Sequence, residues 1–190
     1  MTTPSGMIET VRDKIVAAVK GTGDVVQAMV DTVTQILATT IKDTGKVGTS
    51  VTDVIADVAS GAVRGAVQVR ADLGHAAKGI MLGILGGTKE AGTAVLETIS
   101  HTSQVAIQET LAVGGDLEAA ATGLVVGAIE GVRTMRVSAE NAAAAAAHGA
   151  LRAAEQVGST AVETVRKAVS KPINGVNVVL KEPEMILSTR

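Results

Sequence analysis

The 190-residue chain contains no cysteine, tryptophan, tyrosine or phenylalanine. Without cysteine there can be no disulfide framework, which fits a cytoplasmic protein. Aromatic side chains normally supply the largest buried areas of a globular core, so their absence argues against a compact fold. A surplus of positive charge is missing too: 17 basic residues face 19 acidic ones, for a formal net charge of −2. Nucleic-acid binding draws on a basic stripe and stacking aromatics, so no nucleic-acid partner is expected. No proline lies between Pro4 and Pro172, so nothing there obliges a helix to break. The residues at the start, Met1-Thr2-Thr3-Pro4-Ser5-Gly6, lack the basic region and apolar run of a signal peptide. The most lipid-like stretches, 79–88 and 119–129, fall short of the roughly 20 residues that span a bilayer.

What is present is apolar and small. Ala, Val, Ile, Leu and Met supply a hydrophobic share of 46%, too much for a disordered chain. These residues recur with a fixed period. Gly61 and Gly65 return as Gly83 and Gly87, then as Gly127 and Gly131, and Asp72-Leu73 returns as Asp116-Leu117. All the offsets are multiples of 11. Written in rows of 11, one column holds Val25, Ile36, Val47, Val58, Ile80 and Leu124. A second, four residues on, holds Met29, Leu73, Ile84 and Leu117, and a third holds Val33, Ile55, Ile99 and Val165.

Spacing of 4, 4 and 3 is an undecad (hendecad) pattern, about 3.67 residues per turn, which favours a straight or right-handed supercoil. A strand needs a period of two, and no such alternation occurs. The register runs without a slip from Gly6 to Ser170. The pattern therefore predicts an all-α chain: a tail over 1–5, a single continuous helix over 6–170, and a non-helical tail over 171–190. Such a helix would be on the order of 250 Å long. The weak points are Gly86-Gly87 and Gly114-Gly115, where a hairpin turn is the alternative.

The helical wheel has one bulky edge, with Val63, Leu85, Leu96 and Ile129, and one small edge, with the six repeating glycines Gly61, Gly65, Gly83, Gly87, Gly127 and Gly131. Glycine inside a helix costs roughly 1 kcal/mol against alanine, so these positions make sense where another backbone comes close. A bulky edge on one copy fitting the small edge of the next is a heterologous contact, and repeated contacts of that kind close a ring. The expected assembly is a parallel homo-oligomer of more than four chains. It is a coiled coil or helical barrel whose lumen could hold lipid or another hydrophobic ligand. Its interface residues would be Val25, Ile36, Val47, Val58, Ile80, Ile84, Leu124, Ile129 and the six glycines.

The opposite face carries Glu9, Lys20, Asp31, Lys42, Asp53, Arg64 and His75 in one polar column, read either as a stagger-setting pattern or as a solvated face. Pro172 to Lys181 contains Asn174-Gly175 and a β-branched run, which reads as a turn with a strand pairing between neighbours, or as a disordered tail. No catalytic residue, cofactor or metal is expected. His75, His101 and His148 fall far apart on the polar face, at no metal-ligand spacing. Residues 83–89, GILGGTK, have the glycines of a phosphate loop but follow no strand.

The unbroken 4-4-3 register resembles bacterial hendecad-repeat coiled-coil proteins, which form long right-handed bundles or barrels. The resemblance implies homo-oligomerisation and a structural role, and it carries no catalytic residue across. The Thr/Val/Ala/Gly vocabulary is also similar to the 11-residue lipid-surface helices of synucleins and perilipins. This chain departs from them in lacking a consistent basic border. That similarity implies the alternative role, an amphipathic helix coating a lipid or storage-granule surface as phasins do. A third resemblance, to alanine- and threonine-rich ice-binding helices, fails on the irregular threonine row.

Overall fold

The computed structural model describes residues 4–44, 50–89 and 94–180. Within them the chain forms eight α-helices: α1 Pro4–Thr22, α2 Val25–Thr44, α3 Val51–Gln68, α4 Leu73–Thr88, α5 Val95–Ala112, α6 Leu117–Gly131, α7 Ala139–Glu155 and α8 Ser159–Val169. A 3-10 turn, Val132–Thr134, extends α6. The expectation of all-α structure holds. The single continuous helix over 6–170 does not: the chain folds back on itself after every helix.

The breaks are invisible to the 11-residue register for a simple reason. The residues that cap α3 to α7 are Ser50, Asp72, Ala94, Asp116 and Ser138, each 22 residues after the last. From α3 to α7 one helix plus its turn is two undecads, so each of those turns returns the chain in phase. The physical stops lie in the capping chemistry. Asp72 accepts a hydrogen bond from the backbone N–H of His75, and Asp116 from that of Ala119, satisfying donors that a helix start leaves open. Before Asp72 and Asp116 the chain leaves the helix through a left-handed residue, Arg70 at φ 55° and Gly114 at φ 67°. There Ala71 N–H donates to Ala66 O at 2.9 Å and Gly115 N–H to Thr110 O at 2.8 Å, the bond that closes a Schellman motif. Of the two glycine pairs considered as hairpin points, Gly114-Gly115 is a turn. Gly86-Gly87 lies inside α4.

Helices two apart in sequence lie side by side. The odd helices α1, α3, α5 and α7 make one layer, and the even helices α2, α4, α6 and α8 make the other. Neighbours within a layer run parallel: on α4 the positions Gly79, Gly83 and Gly87 meet Met29, Val33 and Leu37 of α2 in rising order. Between the layers sits the core, with Val58, Ile80, Ile84 and Leu124 fully buried and Ile129 4% exposed. This is a two-layer helical repeat array, in which each unit buries its face against the next. It needs no aromatics. Glycine and alanine edges let neighbouring helices approach until Val, Ile, Leu and Met fill the remaining space at interior density.

The tail after Lys171 turns on Asn174 and Gly175, at φ 49° and 77°. Ile173 and Val176 exchange both backbone hydrogen bonds at 2.9 Å. The turn residues are those the sequence pointed to, but the pairing is within this one hairpin rather than between neighbours. Ile173 is buried, and Val176, Val178 and Leu180 pack partly against the core. At the other end Pro4 opens α1, where its missing N–H is not needed.

Candidate binding surface

The glycines expected to join separate chains instead join neighbouring helices of the same layer within one chain. A Cβ built on Gly61 would lie 2.7 Å from Val11 Cβ of α1, and one on Gly65 2.8 Å from Ile15 Cγ2. Gly83 and Gly87 face Val33 and Leu37 of α2 in the same way, and Gly127 and Gly131 face Met81 and Leu85 of α4. Bulky edge meets small edge, as the wheel requires, but without a second copy. Val25 and Ile36 are partly buried against the same core. Val47 lies outside the described residues.

Both ends of the array are closed with polar side chains. The positions that carry Gly79 and Gly83 on α4 carry Asp31 and Gln35 on α2, and both are exposed. The positions that carry Ala77, Met81 and Leu85 on α4 carry Glu163, Lys167 and Lys171 at α8, again exposed. Repeat arrays need such terminal units to stay soluble.

What the packing leaves open is a groove across the N-terminal ends of the even helices. A cavity of about 520 Å³ lies between α4 and α6, lined by Asp72, Gly74, His75, Lys78, Asp116 and Glu118, with Ala119, Thr122, Gly123 and Val126. A second, of about 500 Å³, continues it to α2 and is lined by Thr22, Gly23, Asp24, Val25, Val26 and again His75. The groove forms because α6 sits close on α4: Gly123 is packed against the backbone of Gly74, so the floor there has no side chains to raise it.

Its walls are acidic. Asp24, Asp72 and Asp116 recur because each starts a helix, and each spends one carboxylate oxygen on a backbone N–H three residues on. The Asp72 carboxyl is held below its ordinary range, first by the backbone N–H of His75 and further by the His75 ring, whose Nδ1 stands 2.9 Å away. Lys78, the one lysine or arginine in the lining, is bound to Glu130 at 2.9 Å. Glu130 also accepts from Asn174 Nδ2 at 3.3 Å, which ties the C-terminal hairpin to α6.

Other candidate positions resolve as follows. The GILGGTK segment is mostly α4 itself, with Gly83 and Gly87 closed against α2. His75 and His148 are exposed, but His101 is only half-exposed and its Nε2 is buried, so it leaves the polar face where the wheel placed it. Among the described residues no three His, Asp or Glu side chains gather as metal ligands, and no helix is long and apolar enough to cross a membrane. The groove itself escaped the wheel, although its trace was there in Asp72-Leu73 and Asp116-Leu117.

No family model matches the chain, and no curated protein matches it. Among solved structures it resembles the crystal structure of a de novo designed helical repeat protein, with a TM-score of 0.52 and 17% identity, over 84% of this chain and 90% of that one. At that identity the likeness concerns the fold alone, and what it supports is an all-α helical repeat architecture.

Proposed function

We propose that the protein is a non-catalytic helical-repeat scaffold that works as a single copy and seats a cationic segment of a partner protein. The observation that carries this reading is the groove over α2, α4 and α6. Its lining presents Asp24, Asp72, Asp116 and Glu118 against one lysine already bound to Glu130. Charge complementarity of this kind sets partner choice and association rate more than raw affinity. The homo-oligomeric barrel loses its basis, because the bulky and small edges that would have built it meet inside one chain. A coat on lipid would require the same apolar columns to leave the core.

The test uses asparagine at the caps. Asn caps a helix about as well as Asp, so Asp72→Asn and Asp116→Asn remove charge while keeping the turn. A fluorescent lysine-rich peptide should bind the wild-type chain, more weakly at higher salt. The double variant combined with Glu118→Gln should lose at least about tenfold in affinity, roughly 1.4 kcal/mol. A peptide that fails to bind, or binds the variant equally, rejects the groove as its seat.

A further inference from the structure

Three positions of each helix, 7, 11 and 15 residues after its cap, face the preceding helix of the same layer. On α4 they are Gly79, Gly83 and Gly87, and on α6 they are Gly123, Gly127 and Gly131. On α5 they are His101, Val105 and Glu109. The same positions are Asp57, Gly61 and Gly65 on α3 and Ala145, Gly149 and Ala153 on α7. Thus α5 is the helix of the odd layer with no glycine or alanine at any of the three. Within that layer α5 packs on α3 less extensively than α3 does on α1 or α7 on α5. Directly across the array, α4 and α6 remain in close glycine contact.

A second observation falls on the same helix. Among the described residues, the buried side-chain polar atoms without a hydrogen-bond partner are His101 Nε2, Thr102 Oγ1 and Ser103 Oγ. All three sit on one turn of α5. Buried polar groups are ordinarily paired, and among the described residues this turn is where that pairing is missing. Across the seam runs one ion pair, Arg64 of α3 with Glu109 of α5, its arginine about half exposed.

We infer that the α3–α5 seam is a hinge built into the array. The odd layer opens there, the α4–α6 glycine contact is the pivot, and Arg64–Glu109 is the latch. Opening lets water reach the turn at 101–103 and supply the partners that the closed form lacks. The groove spans the pivot helices, so its curvature changes as the hinge moves. The hinge stands whether or not the groove binds a cationic segment.

The cysteine-free sequence allows pairs of introduced cysteines to carry spin labels. Three pairs, each 44 residues apart, report three seams: Gln68 with Ala112 for α3–α5, Ala112 with Gln156 for α5–α7, and Lys89 with Arg133 for α4–α6. The Gln68–Ala112 distance distribution should be at least about twice as broad as the other two, as a hinge opening requires. Arg64→Ala should populate its longer distances further and leave the other pairs unchanged. Combining His101→Gly with Val105→Gly, which leaves the Arg64–Glu109 pair in place, should narrow it toward the width of the others. Should Arg64→Ala or the glycine variant fold poorly, the wild-type chain still decides. Equal widths for the three wild-type pairs, with amide exchange in α5 no faster than in α4 and α6, overturn the hinge.

Discussion

A methyl group on Gly83 of α4 would stand 2.7 Å from Val33 Cβ of α2, closer than packed carbons approach. The glycine is therefore required by its neighbour, and that neighbour belongs to the same chain. Gly83→Leu and Gly127→Leu should each destabilise the fold by about 1–3 kcal/mol, the usual cost of overpacking, although leucine is the better helix former. Gly21, in α1, has nothing within 4 Å. Gly21→Ala should instead raise stability by about 0.5 kcal/mol. Urea unfolding of the three variants checks the pattern. Three equal midpoints would mean that the small edges are not packed.

The two matching turns give an internal control. Arg70 occupies the left-handed region where, 44 residues later, Gly114 stands. A non-glycine residue there costs roughly 1–2 kcal/mol, while glycine adds chain entropy to the unfolded state. Gly114→Ala should therefore lower the melting temperature by about 3 °C, and Arg70→Gly should raise it slightly. Thermal melts showing the opposite order would count against the turn geometry.

Asp57 and Asp72 should move stability in opposite directions with pH. Burial, and then the nearby Asp53 charge, raise the Asp57 carboxyl above its ordinary 3.8. The folded state then holds the proton longer than the unfolded one, so stability falls as pH rises from 3.8 through the raised value. Asp72 is lowered, so its contribution is present above 3.8 and is lost as pH falls through the depressed value. At pH 7, Asp57→Asn should raise the melting temperature by about 1–2 °C and Asp72→Asn should lower it by a similar amount. Both differences should shrink toward pH 3. A pH-independent difference in either variant would assign its effect to packing rather than charge.

Light scattering coupled to gel filtration should report a mass near 19.0 kDa, one chain per particle, at micromolar concentration. Circular dichroism should show full helicity in water, with no gain on adding liposomes. A larger particle would restore a role for contacts between copies. Helicity that appears only with lipid would favour the surface coat, since helices of that kind draw their order from the interface.

The amino-acid pattern alone determined that the chain is helical, that its helices share an apolar arc, and that a bulky edge complements a small one. It also set the end of the helical region near Ser170, with α8 ending at Val169, and the Asn174-Gly175 turn. Part of the groove was legible as well, in the 44-residue recurrence of Asp72-Leu73 at Asp116-Leu117. Only the tertiary structure decided where the complementary edges meet. A period of 11 reports which face a residue occupies and is blind to chain reversal when helix and turn together span two periods. The reversals rest on single residues, an Asp or Ser cap and a left-handed Arg70 or Gly114. These contribute little to a periodic signal but fix the direction of everything after them. Whether Gly83 meets Val33 of another copy or of its own chain is then settled by effective concentration: a partner tethered by a short turn is always present, and a second copy must be found.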